Sequence, residues 1–477
     1  MTITPRTSSS RSRRLLAVLV AGGLVLAACG NSDDDDNAEP AEETSPATTE
    51  AEAPAEDTST ETTMAEEPAE EEIDLGEFQP IEGVPGVTDE AISFAVMGTG
   101  PANPLGYCLL ECYVAGVQAY FDYRNSLGGV HGRDLVIGRE DDDEFANTQV
   151  KMLEIAGDDS VFGVFAAPLQ PVGFEAAADA GMPLYTTFPS STALIDVESS
   201  FVPGGISCIS CSNPMYVFMA TQAGKSTMAG LGLGVSQASK EAVDSAEADA
   251  EKFGPGAGVE WVFKNSDLPF GLPNGIAPEV TAMKDAGVDF IVTSLDQNSA
   301  LIVEQELSRQ GMEDTVVLLP QGYGDTGFLS SNADVLEGSL LGTAFRPFES
   351  DPGDSMLPTM RDWLEQSGVL LNDYAVEGWL GADLAVTGLL AAGPQFDRQA
   401  VIDATNALTD YDAGGIMPPM DWATGHQEPG ANGEPFTFCW AILEVVGGTT
   451  EMFSDPAEPW WCFDGPLDEY VEPYTLG

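Results

Sequence analysis

The sequence predicts an α/β fold with two Rossmann-like lobes, each built on a parallel sheet. Short apolar runs alternate with longer amphipathic stretches, as in residues 91–97 followed by 108–126, and this alternation is typical of parallel strands joined by helices. The pattern restarts near residue 228. About 390 residues lie beyond the N-terminal segment, which is too many for one hydrophobic core and enough for two.

The first lobe is predicted from a series of strands and helices that ends near residue 186. The apolar runs suit buried strands, because helices cover both faces of a parallel sheet. Gly128 and Gly129 end the first helix, since glycine readily adopts the left-handed conformation found at helix ends. The predicted strands are 91–97, 135–138, 161–166 and 183–186, and the predicted helices are 108–126, 145–156 and 170–180.

The second lobe repeats this pattern, and later segments return to the first. Strands are predicted at 228–233, 259–263, 289–293, 315–319, 436–446 and 460–463, and helices at 237–252, 278–286, 300–309, 357–366, 375–392 and 398–408. We interpret 214–224 and 344–347 as crossings between the lobes. The expected boundaries are 87–224 and 346–410 for lobe 1, and 225–345 and 411–477 for lobe 2.

An export signal is predicted at residues 1–28. Arg11, Arg13 and Arg14 precede an apolar stretch at 15–28, which is shorter than the roughly 20 residues that span a membrane. The sequence LAAC that ends at Cys29 resembles a bacterial lipobox. The resemblance implies cleavage before Cys29 and a lipid on its sulfur, with the protein held on the outer face of a bacterial membrane; an ordinary signal peptide with an incidental cysteine is the alternative.

Residues 29–86 are predicted to be a disordered tether. Between residues 31 and 80 the chain has 19 acidic residues and no lysine or arginine. Such a segment has too little apolar surface to offset the entropy lost on ordering, and its charges repel one another. The tether would let the folded part stand away from the membrane; an acidic interaction tail is the alternative.

The charge of the chain limits its partners. The sequence has 78 acidic and 17 basic residues, and its net charge is −61. Nucleic-acid binding depends on lysine and arginine that neutralise phosphates, and no basic cluster occurs beyond the signal segment. We therefore exclude nucleic acid as a partner. Anionic membrane surfaces are disfavoured for the same reason, so the membrane is expected to be a partner through the lipid alone.

The six cysteines after Cys29 predict disulfides, because the number is even and the chain is exported. Cys439 and Cys462 flank an expected hairpin and should pair. The other four could pair locally or join two loops; they are Cys108, Cys112, Cys208 and Cys211. A four-cysteine zinc site and a redox role for residues 208–211 are less favoured, since the exterior is oxidising and no thioredoxin-like context surrounds them.

Two stretches resemble the leucine/isoleucine/valine-binding family, the substrate-binding proteins of ABC importers. The first is NSLGGVHGR at 125–133, followed by a strand and Asp141-Asp142; the second runs from DFI at 289–291 to LPQGYG at 319–324. The resemblance covers roughly residues 88–450. It implies the type I periplasmic-binding-protein fold, in which a multi-strand hinge joins the lobes and a ligand is held in the cleft between them.

Ligands of open parallel sheets bind beyond the carboxyl ends of strands, so the loops there provide the candidate site. In lobe 1 the candidates are Asn103, Tyr107, Ala167, Ser190, Ser191 and Thr192. The run at 188–192 matches the family position that binds an amino acid carboxylate, and hydroxyl and N–H groups near a helix start suit an anion. The same serines would equally serve as helix N-caps.

In lobe 2 the candidates are Phe270, Asp296, Gln321 and Tyr323. Gln321 stands where branched-chain amino-acid binders of the family carry a glutamate that faces the ligand ammonium. Glutamine has no charge, so Asp296 would supply it, or else Asp296 caps a helix. Tyr107, Phe270 and Tyr323 are expected to wall the pocket or to pack in the core.

Catalysis, cofactors and metals are not expected. The chain has only two histidines, His131 and His426, which we interpret as surface residues, and it has no His-Glu-x-x-His or Gly-x-Ser-x-Gly motif. Adjacent aspartates at 141–143 lack the alternating spacing of a calcium loop. The expected function is capture of an amino acid or similar small polar molecule by a monomer and its delivery to an ABC permease; a lipid-anchored sensor of the same fold and an exported enzyme are the alternatives.

Overall fold

Two sheets organise the residues that the structure describes. The structure is a computed structural model, and it describes residues 75–101, 103, 105–187, 194–205, 212–320, 322–430 and 433–477. These described residues belong to one compact unit. The predicted α/β class is confirmed, because helices alternate with parallel strands in both sheets.

The first sheet has five parallel strands in the order β2-β1-β3-β4-β5. They are β1 (Ala91–Gly98), β2 (Asp134–Asp142), β3 (Gly163–Ala167), β4 (Leu184–Thr186) and β5 (Ser200–Phe201), and the helices between them are α1 (Leu110–Leu127), α2 (Thr148–Ala156) and α3 (Glu175–Asp179). As predicted, Gly128 ends α1 in a left-handed conformation. The helix predicted at 170–180 was too long, because Pro171 and Gly173, with a φ of 81°, hold its first residues in a loop.

The second sheet is mixed. Its order is β14-β13-β11-β10-β9-β8-β6-β7, and β12 pairs with β11. Parallel strands are β6 (Thr227–Leu233), β7 (Glu260–Leu268), β8 (Phe290–Ser294), β9 (Val316–Leu318) and β10 (Leu340–Thr343). Antiparallel strands are β11 (Phe436–Val446), β12 (Thr449–Met452), β13 (Trp460–Gly465) and β14 (Tyr474–Leu476). Its helices are α4 (Met215–Gln222), α5 (Gln237–Ala257), α6 (Ala277–Ala286), α7 (Gln297–Arg309), α8 (Thr326–Ser331) and α9 (Ala333–Leu336).

Residues 214–224, interpreted from the sequence as a crossing, contain helix α4. The helix is apolar on most of its surface, and Val217, Phe218 and Met219 are buried in a cluster with Met228 of β6 and Phe253 of α5. Burying an apolar segment of this length as a helix is more favourable than leaving it exposed to solvent as a connection.

The chain then returns to the first sheet with α10 (Leu357–Ser367), α11 (Asp373–Ala392) and α12 (Arg398–Thr405). Residues 411–426, assigned by the prediction to lobe 2, also contact this region: the Tyr411 hydroxyl donates to Asp383 Oδ2 at 2.8 Å, and the Trp422 ring packs edge-on against Phe201. The lobe boundaries themselves remain predictions.

Helix α11 packs closely on α1, and glycines make the approach possible. A Cβ atom added to Gly116 would lie 2.0 Å from the carbonyl oxygen of Ala375, and one added to Gly378 would lie 2.3 Å from that of Tyr113. By length and composition α11 could cross a membrane, but 67% of its most apolar stretch is buried. Its contacts with α1 make it a core helix of this fold.

Two disulfides occur among the described cysteines. Cys439 and Cys462 face each other on β11 and β13 and are bonded, as predicted. Cys108 and Cys112 are bonded locally at the start of α1, which is one of the pairings that the sequence left open. Cys29, Cys208 and Cys211 lie outside the described residues.

The interpretation of both histidines as surface residues was wrong. His131 is 1% exposed, and its Nε2 lies 3.0 Å from the carbonyl oxygen of Leu389 in α11. The backbone of Leu75 also covers this turn, accepting a hydrogen bond from His131 N at 2.6 Å. His426 is 8% exposed, and its Nε2 lies 2.6 Å from Asn406 Oδ1. Segments distant in the sequence bury both rings.

Candidate functional site

The carboxyl ends of β1 and β3 are tied together by Thr99, which is fully buried. Its backbone N–H donates to the carbonyl of Ala167 at 3.2 Å, and its Oγ1 donates to Asp143 Oδ2 at 3.2 Å and accepts from Leu169 N at 2.8 Å. Ala167, a predicted ligand residue, is itself fully buried. These bonds fix the base from which the loop after β1 projects.

Asn103 shapes that loop. Its Nδ2 donates to the carbonyls of Tyr107 at 2.9 Å and Gly100 at 3.2 Å, and its Oδ1 accepts from Gly106 N at 3.1 Å. Both ends of the amide therefore bond within the loop, and the structure gives Asn103 the role of positioning Tyr107. Ligand contact by Asn103 itself stays a prediction.

The three aspartates at 141–143 support the same edge of the sheet. Asp141 forms ion pairs with Arg139 and, at 3.0 Å, with Lys151, and these contacts lower its pKa against the opposing effect of burial. Asp142 accepts from Gly100 N at 3.0 Å, and Asp143 accepts from Thr148 Oγ1 at 2.7 Å. Each carboxylate thus has protein partners that hold a loop or a helix start.

Asp296 is the N-cap of α7. It is 1% exposed, its Oδ1 accepts from Ser299 N at 2.9 Å, and its Oδ2 accepts from the Ser299 hydroxyl and, at 3.3 Å, from Gly271 N. Of the two roles left open by the sequence, the structure shows the helix cap. The bond to Gly271 also ties α7 to the loop that carries Phe270, a half-buried residue packed on the core.

Tyr323 follows β9 and is buried. Its hydroxyl accepts from Phe348 N at 2.6 Å and donates to Glu349 Oε2 at 3.0 Å, and its ring stacks on Phe348. The next residue, Gly324, has a φ of 73°, and a Cβ atom there would lie 1.5 Å from the carbonyl oxygen of Leu371. The loop after β9 therefore presses directly on the chain just before α11.

The first two turns of α11 bring two carboxyl groups to the same place. Asn372 caps the helix by accepting from Ala375 N at 3.1 Å. Asp373 and Glu377 are four residues apart and so share one side of the helix. Burial raises the pKa of Asp373 to about 7. Burial, and then the charge of Asp373, raises the pKa of Glu377 well above its usual value.

The charge of Asp373 acts on side chains that follow strands of both sheets. Tyr107 is 8% exposed, and burial together with the charges of Tyr374, Asp296 and Asp373 raises the pKa of its hydroxyl. The charge of Asp373 also contributes to the raised pKa of Tyr323, after burial and Glu349. The structure thus assembles a strand-end cluster, by which we mean Tyr107, Asp296, Tyr323, Asp373 and Glu377.

The sequence had singled out three members of the strand-end cluster, Tyr107, Asp296 and Tyr323, but not Asp373 and Glu377. The available signal was a pair of acids spaced i, i+4 at the start of a largely apolar helix. Thr186 and Thr187, at the end of β4, were also not anticipated from the sequence; their buried hydroxyls have no hydrogen-bond partner among the described residues. The predicted residues Ser190, Ser191, Thr192 and Gln321 lie outside the described residues.

Two cavities lie away from the strand ends. One, of about 410 Å³, is lined by Asp383 and the loop at 408–414. The other, of about 320 Å³, adjoins His426 and Asn406. Neither contains a member of the strand-end cluster, so both are separate from the candidate site.

Comparison with known proteins identifies the family. The profile of the family described as "Periplasmic binding protein" matches residues 99–449. None of the curated proteins matches this sequence.

Solved structures share the fold at low sequence identity. A branched chain amino acid ABC transporter from Thermus thermophilus with bound valine has a TM-score of 0.59 and 18% identity, over 81% of this chain and 97% of that one. A fatty acid ABC transporter substrate-binding protein from Thermomonospora curvata has a TM-score of 0.57 and 18% identity, over 80% and 97%. A solute binding protein from R. palustris in complex with benzoate has a TM-score of 0.55 and 15% identity, over 78% and 97%.

These likenesses show the two-lobed type I fold, and the family match extends from the loop after β1 to β12. The predicted resemblance is therefore confirmed. The chain belongs to the periplasmic binding protein family.

Proposed function

We propose that this protein is the extracytoplasmic solute-binding lipoprotein of an ABC importer. It captures an amino acid or similar small polar molecule between its two lobes and delivers it to a permease. The observation that carries the proposal is the strand-end cluster, because the loops that carry Tyr107 and Tyr323 both contact the chain at the start of α11. Asn372 donates to the carbonyl of Cys108 at 3.1 Å, and Gly324 presses on the carbonyl of Leu371. Family membership supports the same reading.

Capture rests on polar groups at the strand ends of both lobes. Ser190, Ser191 and Thr192 follow β4 and would offer hydroxyl and N–H groups to an anionic part of the ligand. The buried hydroxyls of Thr186 and Thr187, at the end of the same strand, support this assignment. Gln321, just before Tyr323, would offer an amide from the second lobe. Closure of the lobes would then exclude water and strengthen these polar contacts.

Lipid on Cys29 would hold the protein at the membrane, and residues 29–74 would tether it. The sequence prediction extended the tether to residue 86, but residues 75–86 pack on the folded part: the Leu75 carbonyl accepts from His131 N at 2.6 Å, and the Gln79 carbonyl accepts from Arg133 Nη2 at 2.7 Å. A flexible chain of this length has an end-to-end distance of about 40 Å, and repulsion between its acidic residues increases that distance. The folded part would therefore reach ligand in the surrounding medium while remaining near the permease.

The direct test is a thermal-shift screen of the full chain with Cys29→Ala, which blocks lipidation. The panel contains amino acids, amides, diamines, short carboxylates and aromatic acids. A ligand that binds only the native state raises the melting temperature by mass action. A reproducible rise with one chemical class supports the proposal, and the absence of any rise across the panel contradicts it.

A further inference from the structure

We propose, resting on the proposed function, that the ligand has a net positive charge and that Asp373 and Glu377 receive its ammonium or guanidinium group. A basic amino acid and a diamine both have this chemistry. The proposal assigns cation recognition to the start of α11 and not to Asp296, the residue that the sequence favoured.

The position of the two carboxyl groups suits a ligand. Both side chains are half-buried, so solvent reaches them. They lie beside the loop after β1, because Asn372, the residue before Asp373, donates to the carbonyl of Cys108, the residue after Tyr107, at 3.1 Å. A small ligand can therefore reach both carboxyl groups and Tyr107 together.

The groups that face this pair carry negative or no charge. Tyr107 comes from the loop after β1 and Tyr323 from the loop after β9, and the charge of Asp373 acts on both. Tyr113 of α1 faces Glu377, whose charge contributes to the raised pKa of that tyrosine. Among the described residues no lysine or arginine forms an ion pair with Asp373 or Glu377.

Three other buried carboxyl groups among the described residues have hydrogen-bond donors. Asp296 accepts three hydrogen bonds, and Asp383 accepts from the hydroxyls of Tyr120 and Tyr411 at 2.8 Å each. Glu304 accepts from the Ser339 hydroxyl. Glu377 Oε2 is buried and, like Asp249 Oδ2, has no hydrogen-bond partner among the described residues. Burying a carboxylate without a partner is costly, so a cation supplied from outside would relieve a cost that this fold otherwise bears.

Tyr107 provides an independent observation. Its hydroxyl is buried and has no hydrogen-bond partner among the described residues, and it is close enough to Asp373 and Asp296 to respond to both charges. A tyrosine hydroxyl both donates and accepts. It can therefore accept a hydrogen bond from an ammonium N–H while it donates to a carboxylate.

The net charge of the ligand follows from the number of carboxyl groups that it must neutralise. One ammonium of a zwitterion brings its own carboxylate, whereas the pair has two carboxyl groups. A ligand with an additional cationic group neutralises more of them and lowers the pKa of Asp373 and Glu377, since a nearby positive charge favours the ionised carboxylate. An anionic ligand would meet repulsion here.

The test compares cations with neutral isosteres of nearly the same shape. Isothermal titration calorimetry of the full chain with Cys29→Ala uses L-arginine against L-citrulline and L-lysine against L-norleucine, with agmatine and putrescine as further cations. We expect each cation to bind at least about tenfold more tightly than its isostere, because charged hydrogen bonds contribute more than neutral ones.

Three variants locate the binding group. Asp373→Asn and Glu377→Gln should each weaken the best cation by about 10- to 100-fold. The matched control Glu365→Gln lies on the exposed side of α10 and should leave affinity unchanged. Melting curves without ligand show whether each variant is folded. At pH 8, where Asp373 is ionised, Asp373→Asn should melt at or above the temperature of the parent protein, since it removes the charge of a half-buried carboxylate.

The outcomes separate this inference from the proposed function. If L-citrulline, L-norleucine or benzoate binds as well as the cations, or if both site variants bind normally, the inference is wrong and the protein is still a solute-binding protein. If no compound of any charge binds, both are contradicted.

Discussion

The side-chain amide of Asn372 donates a hydrogen bond of 3.1 Å to the backbone carbonyl of Cys108. This bond joins the start of α11 to the start of α1, although the two residues are far apart in the sequence. Because Asn372 also caps α11, it fixes both the helix and the position of Asp373, the next residue. The strand-end cluster therefore depends on a contact between two helix starts.

Replacing Asn372 by alanine should lower both stability and ligand affinity. The change removes the cap and the bond to Cys108, and we expect a loss of about 1–2 kcal/mol in the free energy of unfolding, measured by urea denaturation. Asp397→Ala is the matched control, because Asp397 caps α12 through Ala400 N at 2.8 Å and lies outside the cluster. Asp397→Ala should lower the free energy of unfolding by a similar amount and leave ligand affinity unchanged. Equal loss of affinity in both variants would refute a specific role for Asn372.

Gly116→Ala tests the close packing of α1 on α11. A Cβ atom here would lie 2.0 Å from the carbonyl oxygen of Ala375, so the helices must separate, and we expect a loss of about 1–3 kcal/mol. Gly157→Ala serves as the control, because its nearest contact would be 3.7 Å away and its φ is −89°; its effect should stay within about 0.5 kcal/mol. If Gly116→Ala left the free energy of unfolding unchanged, the two helices would pack less closely than described.

The stability of the ligand-free protein should fall as pH rises from about 5 to 8. The folded pKa of Asp373 is about 7, above the ordinary value of 3.8, so the folded state binds more protons than the unfolded state between these values. The stabilisation that comes from this extra bound proton is complete below the ordinary pKa and is lost as the pH rises through 7. Asp249 and Glu304 act in the same direction, each with a pKa of about 7.

Asp373→Asn should reduce that dependence. Melting temperatures measured between pH 5 and 8 should fall less for this variant than for the parent protein, whereas Glu365→Gln should follow the parent. Parallel curves for all three proteins would mean that Asp373 titrates normally.

The two described disulfides should differ in their effect on stability. A disulfide that closes a longer loop restricts the unfolded chain more, and the Cys439–Cys462 bond spans 23 residues, compared with 4 for Cys108–Cys112. Replacing both Cys439 and Cys462 by alanine should cost about 2–4 kcal/mol. The corresponding change at Cys108 and Cys112 should cost less, and denaturation curves showing the reverse order would contradict this expectation.

Cys29→Ala should release the protein from the membrane. The proposed anchor is a lipid on the Cys29 sulfur, and alanine has no thiol to accept it. Fractionation of cells followed by immunoblotting should show the parent protein with membranes and the variant in the soluble fraction. A variant retained on membranes would contradict lipid anchoring at this residue.

Local features of the sequence predicted much of the fold. Strand β1 and helix α1 were anticipated because an apolar run and an amphipathic stretch precede glycines that end the helix, and Gly128 has the expected positive φ of 116°. Strand β5 was missed, because two residues carry no periodic signal. The burial of His131 was also missed, since it depends on residues 75–78 and on α11, which lie elsewhere in the chain.

The candidate site was only partly predictable for the same reason. Tyr107 and Tyr323 were found because they follow strands, and that position is visible in the sequence. The role of Asp373 and Glu377 could not be predicted, because it depends on the packing of α11 on α1, which brings them close to Tyr107. Asp296 has the pattern of a helix cap as well as that of a ligand residue, and only the bonds to Ser299 and Gly271 show the cap.

Hydrogen–deuterium exchange tests the central claim most directly. The full chain with Cys29→Ala is compared with and without the compound that raises its melting temperature most. We predict that exchange slows together in three segments, 99–109, 322–325 and 371–377, because a ligand between the lobes would contact the strand ends of both sheets and the start of α11. Slowing confined to one lobe, or to the cavity beside Asp383, would contradict a binding site at the strand-end cluster.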